Sequence, residues 1–231
     1  NSGSNEIYTT TGAVYESLLY SWENQTPQEN YSLDWVVSTP MSSAPAWVNG
    51  TSAVNGTYWG LTSNKAVKGW NCGQNGTTSP QTGPAGGATL PLGTPTTTAG
   101  SNQYMYTETS GPGTYNKCFV ARTGGYNFST LMINTSNNLD LVFWVHGYGA
   151  NMGDLFTYID DATTSNDSSA TLLNSQTTFT QTATTSNYTE ITVSLNSYRT
   201  VNSDHYIYFV SQNGTSFRSD LAVDLVQIIE S

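Results

Sequence analysis

The sequence has little positive charge. Lys65, Lys68, Lys117, Arg122, Arg199 and Arg218 are all of its basic residues, against 16 acidic ones, for a net charge of −10. They are spread along the chain and form no basic run, so nucleic acid and anionic membrane surfaces are poor partners. Charge of either sign is sparse at 10% of the chain, where ordinary soluble domains carry roughly 25%. Ser, Thr, Asn and Gly take over the polar surface. No apolar stretch approaches the roughly 20 residues that a transmembrane helix needs, so no membrane insertion of that kind is expected. There are only two cysteines, Cys72 and Cys118, with neither a CxxC nor a zinc spacing. They read as one disulfide closing a long loop in an oxidising compartment, or as two buried thiols. Helical periodicity is missing as well: no window sustains apolar residues at i, i+3, i+4 and i+7.

What the chain does have is strand pattern. Short alternating runs rich in Val, Ile, Thr, Tyr, Phe and Trp recur between turn residues. They are DWVVS (34–38), QYMYTE (103–108), KCFVA (117–121), LDLVFWVHGY (139–148), DLFTYID (154–160), YTEITVSL (188–195), HYIYFVSQ and DLAVDLVQII (220–229). Strands at this spacing predict an all-β protein, an antiparallel β-sandwich of jelly-roll type. The segment from about 39 to 81 carries Trp47, Trp59 and Trp70, and aromatics of that kind argue for order rather than a disordered linker. It reads as a long ordered insertion in a single domain over 15–231, preceded by an N-terminal arm over 1–14. Sequons such as those at Asn127, Asn134, Asn187 and Asn213 read mainly as loop markers. They are glycosylation sites only in a host that glycosylates.

The run FWVHGYGANMGDLFTYI holds a polar, glycine-rich centre between two strands. Locally it reads as a hairpin. Alternation places Leu139, Leu141, Phe143 and Val145 on a core face, with Asp140, Val142, Trp144 and His146 on the other. Phe156, Tyr158, Tyr206 and Tyr208 fall on the corresponding non-core faces of their own strands. If these strands share one sheet, Trp144, His146, Phe156, Tyr158, Tyr206 and Tyr208 make a platform of rings suited to stacking on sugars. The alternative is that the tryptophan-bearing insertion covers this face as a second core layer. Trp47, Trp59 and Trp70 of that insertion are the other ligand-binding candidates.

Taken together, LDLVFWVHGYGANMGDLFTYID resembles the central signature of MAM (meprin/A5/receptor-phosphatase-mu) domains. Collinear landmarks accompany it: YESLLYSWEN (15–24), LDW (33–35), TGPAGGAT (82–89), GSNQYMYTETS (100–110) and SDLAVDLVQI (219–228). The resemblance spans about 15 to 229. It implies a concanavalin-like, MAM-like jelly roll with an adhesion or recognition role and no catalytic activity. The chain departs from the family in its cysteines and in the long stretch between LDW and TGPAGGAT. A Cys72–Cys118 bond would therefore be this protein's own. The resemblance further implies a structural Ca²⁺ between the first segment and the last strand, at the positions of Glu16 and Asp224.

The residues offer little catalytic chemistry. The glutamates form no E-x-D-x-x-E motif of the kind jelly-roll glycosidases use. Asp160 and Asp161 are strand neighbours and so point to opposite faces. His146 has no nucleophile motif beside it. The expectation is a non-enzymatic module outside the cell, at a cell or virion surface, binding a glycan or a protein. Two alternatives stand beside it. One is a structural subunit of a virion surface, coat or surface filament that self-associates through an arm such as NSGSNEIYTTTG. The other is a polysaccharide-active jelly-roll enzyme.

Overall fold

The computed structural model describes residues 13–14, 36–38, 58–60, 69–74, 81–84, 103–110, 114–123, 125–132, 134–161 and 170–231. In the first four of these stretches, Trp70 apart, the description is of backbone pairing. Among the described residues the chain forms twelve strands and one short helix. The strands are β1 (Ala13–Val14), β2 (Val36–Ser38), β3 (Tyr58–Gly60), β4 (Gly69–Gln74), β5 (Gln103–Glu108), β6 (Cys118–Arg122), β7 (Leu139–Gly147), β8 (Asp154–Asp161), β9 (Thr171–Gln176), β10 (Thr189–Ser194), β11 (His205–Gln212) and β12 (Leu221–Glu230). The helix α1 (Phe128–Leu131) is a single turn.

All pairings are antiparallel, and they build two sheets. One runs β10–β7–β12–β5–β4, with β1 added beside the end of β12; the other runs β3–β2–β6–β11–β8–β9. The all-β sandwich is thus the observed architecture. β3 and β4 lie inside the segment expected to be an insertion, and each adds a strand to a different sheet. Ala13 and Val14, within the stretch read as an arm, pair with Glu230 and Ile229.

The core lies between the sheets. Leu139, Leu141, Phe143 and Val145 of β7 meet Leu155 and Ile159 of β8 and Ile207 and Phe209 of β11 there. Phe143 and Phe209 stand edge to face at 5.1 Å between ring centres, the geometry that ring quadrupoles favour. Trp70 of β4 is buried among them, and its indole N–H donates to the Phe119 carbonyl of β6 at 3.1 Å. That bond ties one sheet to the other.

β12 shows how sequence parity and pairing are reconciled. Leu221 and Val223 face the core, and so do Val226 and Ile228. An uninterrupted strand could not bury both pairs, because side-chain direction alternates. The register shifts between Asp224, opposite Trp144, and Gln227, opposite Val142. Leu225 is the extra residue of this bulge, at φ 46°, and the Asp224 carboxylate accepts its N–H at 2.7 Å. Bulges of this kind leave one residue out of the ladder and re-aim the strand.

The HGYGANMGD stretch corrects the local reading. β7 and β8 are not hairpin partners: β7 pairs with β10 and β12, and β8 with β11 and β9. Residues 148–153 carry the chain from one sheet to the other. They dock backbone to backbone on the β11–β12 connection, where the Asn151 N–H donates to the Arg218 carbonyl at 3.2 Å. A Cβ on Gly149 would collide with the Arg218 carbonyl, and one on Gly153 with that of Gln212. The glycines of this loop serve that close approach.

Candidate functional site

Sheet membership divides the expected platform. Trp144 and His146 point outward from the β7 sheet. Phe156, Tyr158, Tyr206 and Tyr208 point outward from the β8–β11 sheet, on the opposite side of the sandwich. Alternation puts all six away from the core between the sheets, which holds, but His146, Tyr158 and Tyr208 are themselves buried, and strands in different sheets cannot present the six on one surface.

On the β7 side, Trp144 is half-buried against Tyr104, Tyr106, Tyr188 and Ala222. His146 is 0% exposed, with its ring 5.3 Å from that of Tyr188. The loop before β10 lies over this end of the sheet. The Gln181 side chain there takes up the pairing of β7 beyond β10: its carbonyl accepts the Gly147 N–H, and its amide donates to the Val145 carbonyl, both at 3.3 Å. Neither ring nitrogen of His146 makes a hydrogen bond of normal geometry. Burial pulls its pKa down to about 4, against a weaker upward pull from the carbonyls of Ser186, of His146 itself and of Ala183. His146 is neutral near pH 7 and sealed from solvent, so it does not serve as an open ligand contact. Tyr106 is held well above the usual phenol range, first by burial and then by the charges of Glu108 and Asp220.

On the opposite side, Val120, Tyr158, Tyr208 and Val210 form a second apolar cluster, itself buried, joined by half-buried Phe156, Tyr206 and Ala170. The register sets them in rows across three strands. Arg122, Tyr208 and Tyr158 lie in line, as do Val120, Val210 and Phe156; Tyr206 stands opposite Asp160. The Arg122 guanidinium lies over the Tyr206 ring at 4.5 Å from its centre, within the range of a cation–π contact. Leu172 of β9, opposite Tyr158, is 50% exposed. Burial, with the neighbouring Cys118 adding to it, pushes the Tyr158 phenol up to about 12. Sequence reasoning missed Arg122. Extending KCFVA by one residue at period 2 would have placed it on the same face as Cys118 and Val120.

The remaining candidates separate. Trp70 is in the core, 1% exposed and bonded to Phe119, which removes it from a ligand-facing position. The backbone of Trp59 pairs with Val37, but its side chain lies outside the described residues, as do Trp47 and Glu16. Cys118 is a free, buried thiol rather than half of a disulfide. It alternates with core-facing Phe119 and so points away from the sheet that holds Cys72 on β4. Burial raises its pKa to about 11. Asp224 is buried and already engaged by the Leu225 N–H. Among the described residues no group of three or more His, Cys, Asp or Glu side chains converges as a metal set. Those residues supply one member of the Glu16–Asp224 pair, so the calcium ion stays an implication of the resemblance.

No protein-family model matches the chain, and no curated protein does. Among solved structures it is similar to the apo form of a cyclase from Fischerella sp., over 95% of each chain, at 10% identity and a TM-score of 0.50. It is also similar to the K1 cleaved adhesin domain of Lys-gingipain from Porphyromonas gingivalis W83. That match covers 70% of this chain and 83% of the other, at 19% identity and a TM-score of 0.43. A mannan-recognising carbohydrate-binding module matches over 56% of this chain and 75% of its own, at 10% identity and a TM-score of 0.32. At such identities the likeness is one of fold.

Proposed function

We propose that this chain is a non-enzymatic recognition module working outside the cell, at a cell or virion surface. Its ligand, a glycan or a protein, sits on the outer face of the β6–β11–β8 strands. One observation carries the proposal: partly exposed Phe156 and Tyr206, with Leu172 at 50% exposure, rim a sheet face turned away from the inter-sheet core, whose centre of Val120, Val210, Tyr158 and Tyr208 is buried. Rings with apolar bodies and polar tips stack on sugar faces and also anchor protein contacts. The resemblance to MAM domains supports a recognition role.

The test is a glycan array probed with the wild-type chain and with Tyr206→Ala, Phe156→Ala and Trp144→Ala, each checked for fold by circular dichroism. Binding lost in the first two and kept in Trp144→Ala supports the site. Loss confined to Trp144→Ala would move it to the other sheet. Failure of every glycan to bind the folded chain would count against glycan recognition. Concentration-dependent sedimentation would then favour an assembly subunit.

A further inference from the structure

We infer that Asn134 is a modification site, the asparagine at which this fold accepts an N-linked glycan from a lipid-linked oligosaccharide donor. The inference rests on the reading of the chain as working outside the cell, since such transfer accompanies export. It is independent of which face holds the ligand.

Four sequons lie wholly among the described residues, beginning at Asn127, Asn134, Asn187 and Asn213. The fold places their amides differently. Asn213 is 4% exposed; its Nδ2 donates to the Thr114 carbonyl at 3.4 Å, and its Oδ1 accepts the Ser211 hydroxyl at 3.0 Å. Asn127 is half-buried at the start of α1, with its Nδ2 donating to Asn202 Oδ1 at 2.9 Å. Its Oδ1 takes up the hydroxyl of Ser129, the third member of its own sequon, at 2.7 Å. Asn187 is exposed, but Tyr188 beside it is buried, and the Thr189 hydroxyl oxygen accepts the Gln181 amide at 3.0 Å. At the remaining sequon Asn134, Thr135 and Ser136 are all exposed. The Asn134 side chain is engaged through Oδ1, which accepts the Ser136 N–H at 2.9 Å. Among the described residues neither its Nδ2 nor the Ser136 hydroxyl makes a hydrogen bond.

The turn that carries this sequon is held from below. The Asn137 N–H donates to the Asn134 carbonyl at 2.9 Å. The Glu230 carboxylate, at the end of β12, accepts the Asn134 N–H at 2.8 Å and the Asn137 amide at 2.9 Å. An asparagine that opens a turn and accepts the N–H two residues on is a common turn device, and it accounts for Asn134 Oδ1. It makes no use of Nδ2 or of the Ser136 hydroxyl, the two groups that the sequon supplies for transfer. In that step a bond forms between Nδ2 and C1 of the first sugar, and the C1–O bond to the donor's phosphate breaks. The amide gives up one proton and the polyprenyl pyrophosphate leaves. The product keeps Oδ1, so the turn survives, and the sugar stands in water, where a bulky glycan belongs. At Asn213 the same addition wedges a sugar into the buried contact with Thr114.

The test gives the folded, unglycosylated chain to an oligosaccharyltransferase with a polyprenyl-pyrophosphate-linked oligosaccharide, beside tryptic fragments of the same chain as the unfolded reference. Glycopeptide mass spectrometry reads the rate at each sequon. Asn134 should be modified in the native chain about as fast as in its fragment. Asn213 should be slower in the native chain by about tenfold or more, because transfer there waits on local opening. Ser136→Ala keeps the backbone N–H that closes the turn and removes the hydroxyl. It should abolish transfer at Asn134 with the circular dichroism unchanged. Asn134 left bare in the native chain while its fragment is modified would overturn the inference, and so would transfer that survives Ser136→Ala. Asn213 modified equally fast in chain and fragment would overturn the argument from burial. The chain secreted by glycosylating cells should carry the glycan at Asn134. A bare Asn134 there overturns the inference whatever ligand the β6–β11–β8 face binds, and failure of that face to bind any glycan leaves it standing.

Discussion

His146 sits in an environment far from that of its solution chemistry. It is fully buried, and burial lowers its pKa from 6.5 to about 4. The ring packed against it is that of Tyr188; Glu190 and Asp224 flank Trp144 further along the face. The unfolded chain takes up a proton at this histidine near pH 6.5, and the folded chain does so only near pH 4. Its contribution is therefore complete above pH 6.5 and is lost progressively as pH falls to about 4, to a total of about 3 kcal/mol. Burial raises the pKa values of Asp140 and Asp154, which acts in the opposite sense and offsets part of the loss. Urea titrations across this range should show the decline in the wild type, and His146→Leu should remove the histidine's share. An unchanged slope in His146→Leu would contradict the buried, neutral assignment.

Trp70 acts at the same scale. Trp70→Phe keeps a ring in the core but leaves the Phe119 carbonyl without its indole donor and opens a small void. The expected loss is about 2 kcal/mol, read as a lower midpoint in denaturant. A loss near zero would mean that the inter-sheet bond adds nothing.

Among the elements, β12 is the most instructive. Its bulge exists because Leu221 and Val223 precede Val226 and Ile228 with the wrong parity for a regular strand. Deleting Leu225 removes the extra residue and keeps every other side chain of β12 on its face, so this variant should fold. Its thermal midpoint should fall, because a buried leucine is lost at about 2–4 kcal/mol. Deleting Ala222 turns Leu221 out of the core and should cost far more. If circular dichroism during thermal unfolding ranked the two in reverse, the parity argument would fail. The 148–153 connection belongs to this scale too. Gly153→Ala sets a methyl against the Gln212 carbonyl, and backbone has nowhere to retreat, so a loss of at least about 2 kcal/mol is expected from urea unfolding.

At the scale of the molecule, the sandwich keeps its two outer faces independent. Trp144 sits on one and Tyr206 on the other, and the core lies between them. The sheets are joined by packing and by the Trp70–Phe119 bond rather than by a Cys72–Cys118 disulfide. The thermal midpoint should therefore be the same with and without dithiothreitol. Cys118, buried and with its pKa raised to about 11, should resist a maleimide in the native chain and react once unfolded. A midpoint lowered by the reductant would reinstate the disulfide.

The sequence by itself determined which side of each strand faces the core. Leu139, Leu141, Phe143 and Val145 were legible as buried, and Trp144, Tyr158 and Tyr208 as off the core, because side-chain direction follows a period of two whatever the strand pairs with. The same alternation says nothing about which sheet a strand joins. A short glycine-rich connection serves a hairpin and an inter-sheet crossing equally well, so β7 and β8 read as partners until pairing was known. β9, TLLNSQ, lies at a sheet edge and is exposed along much of its length, so no apolar alternation marked it. The opposite placement of Trp144 and Tyr206, the outward turn of Cys118 away from Cys72, and the seating of the Arg122 guanidinium over the Tyr206 ring were decided by tertiary structure alone. Each depends on neighbours far apart in sequence, brought into register only when the strands pair.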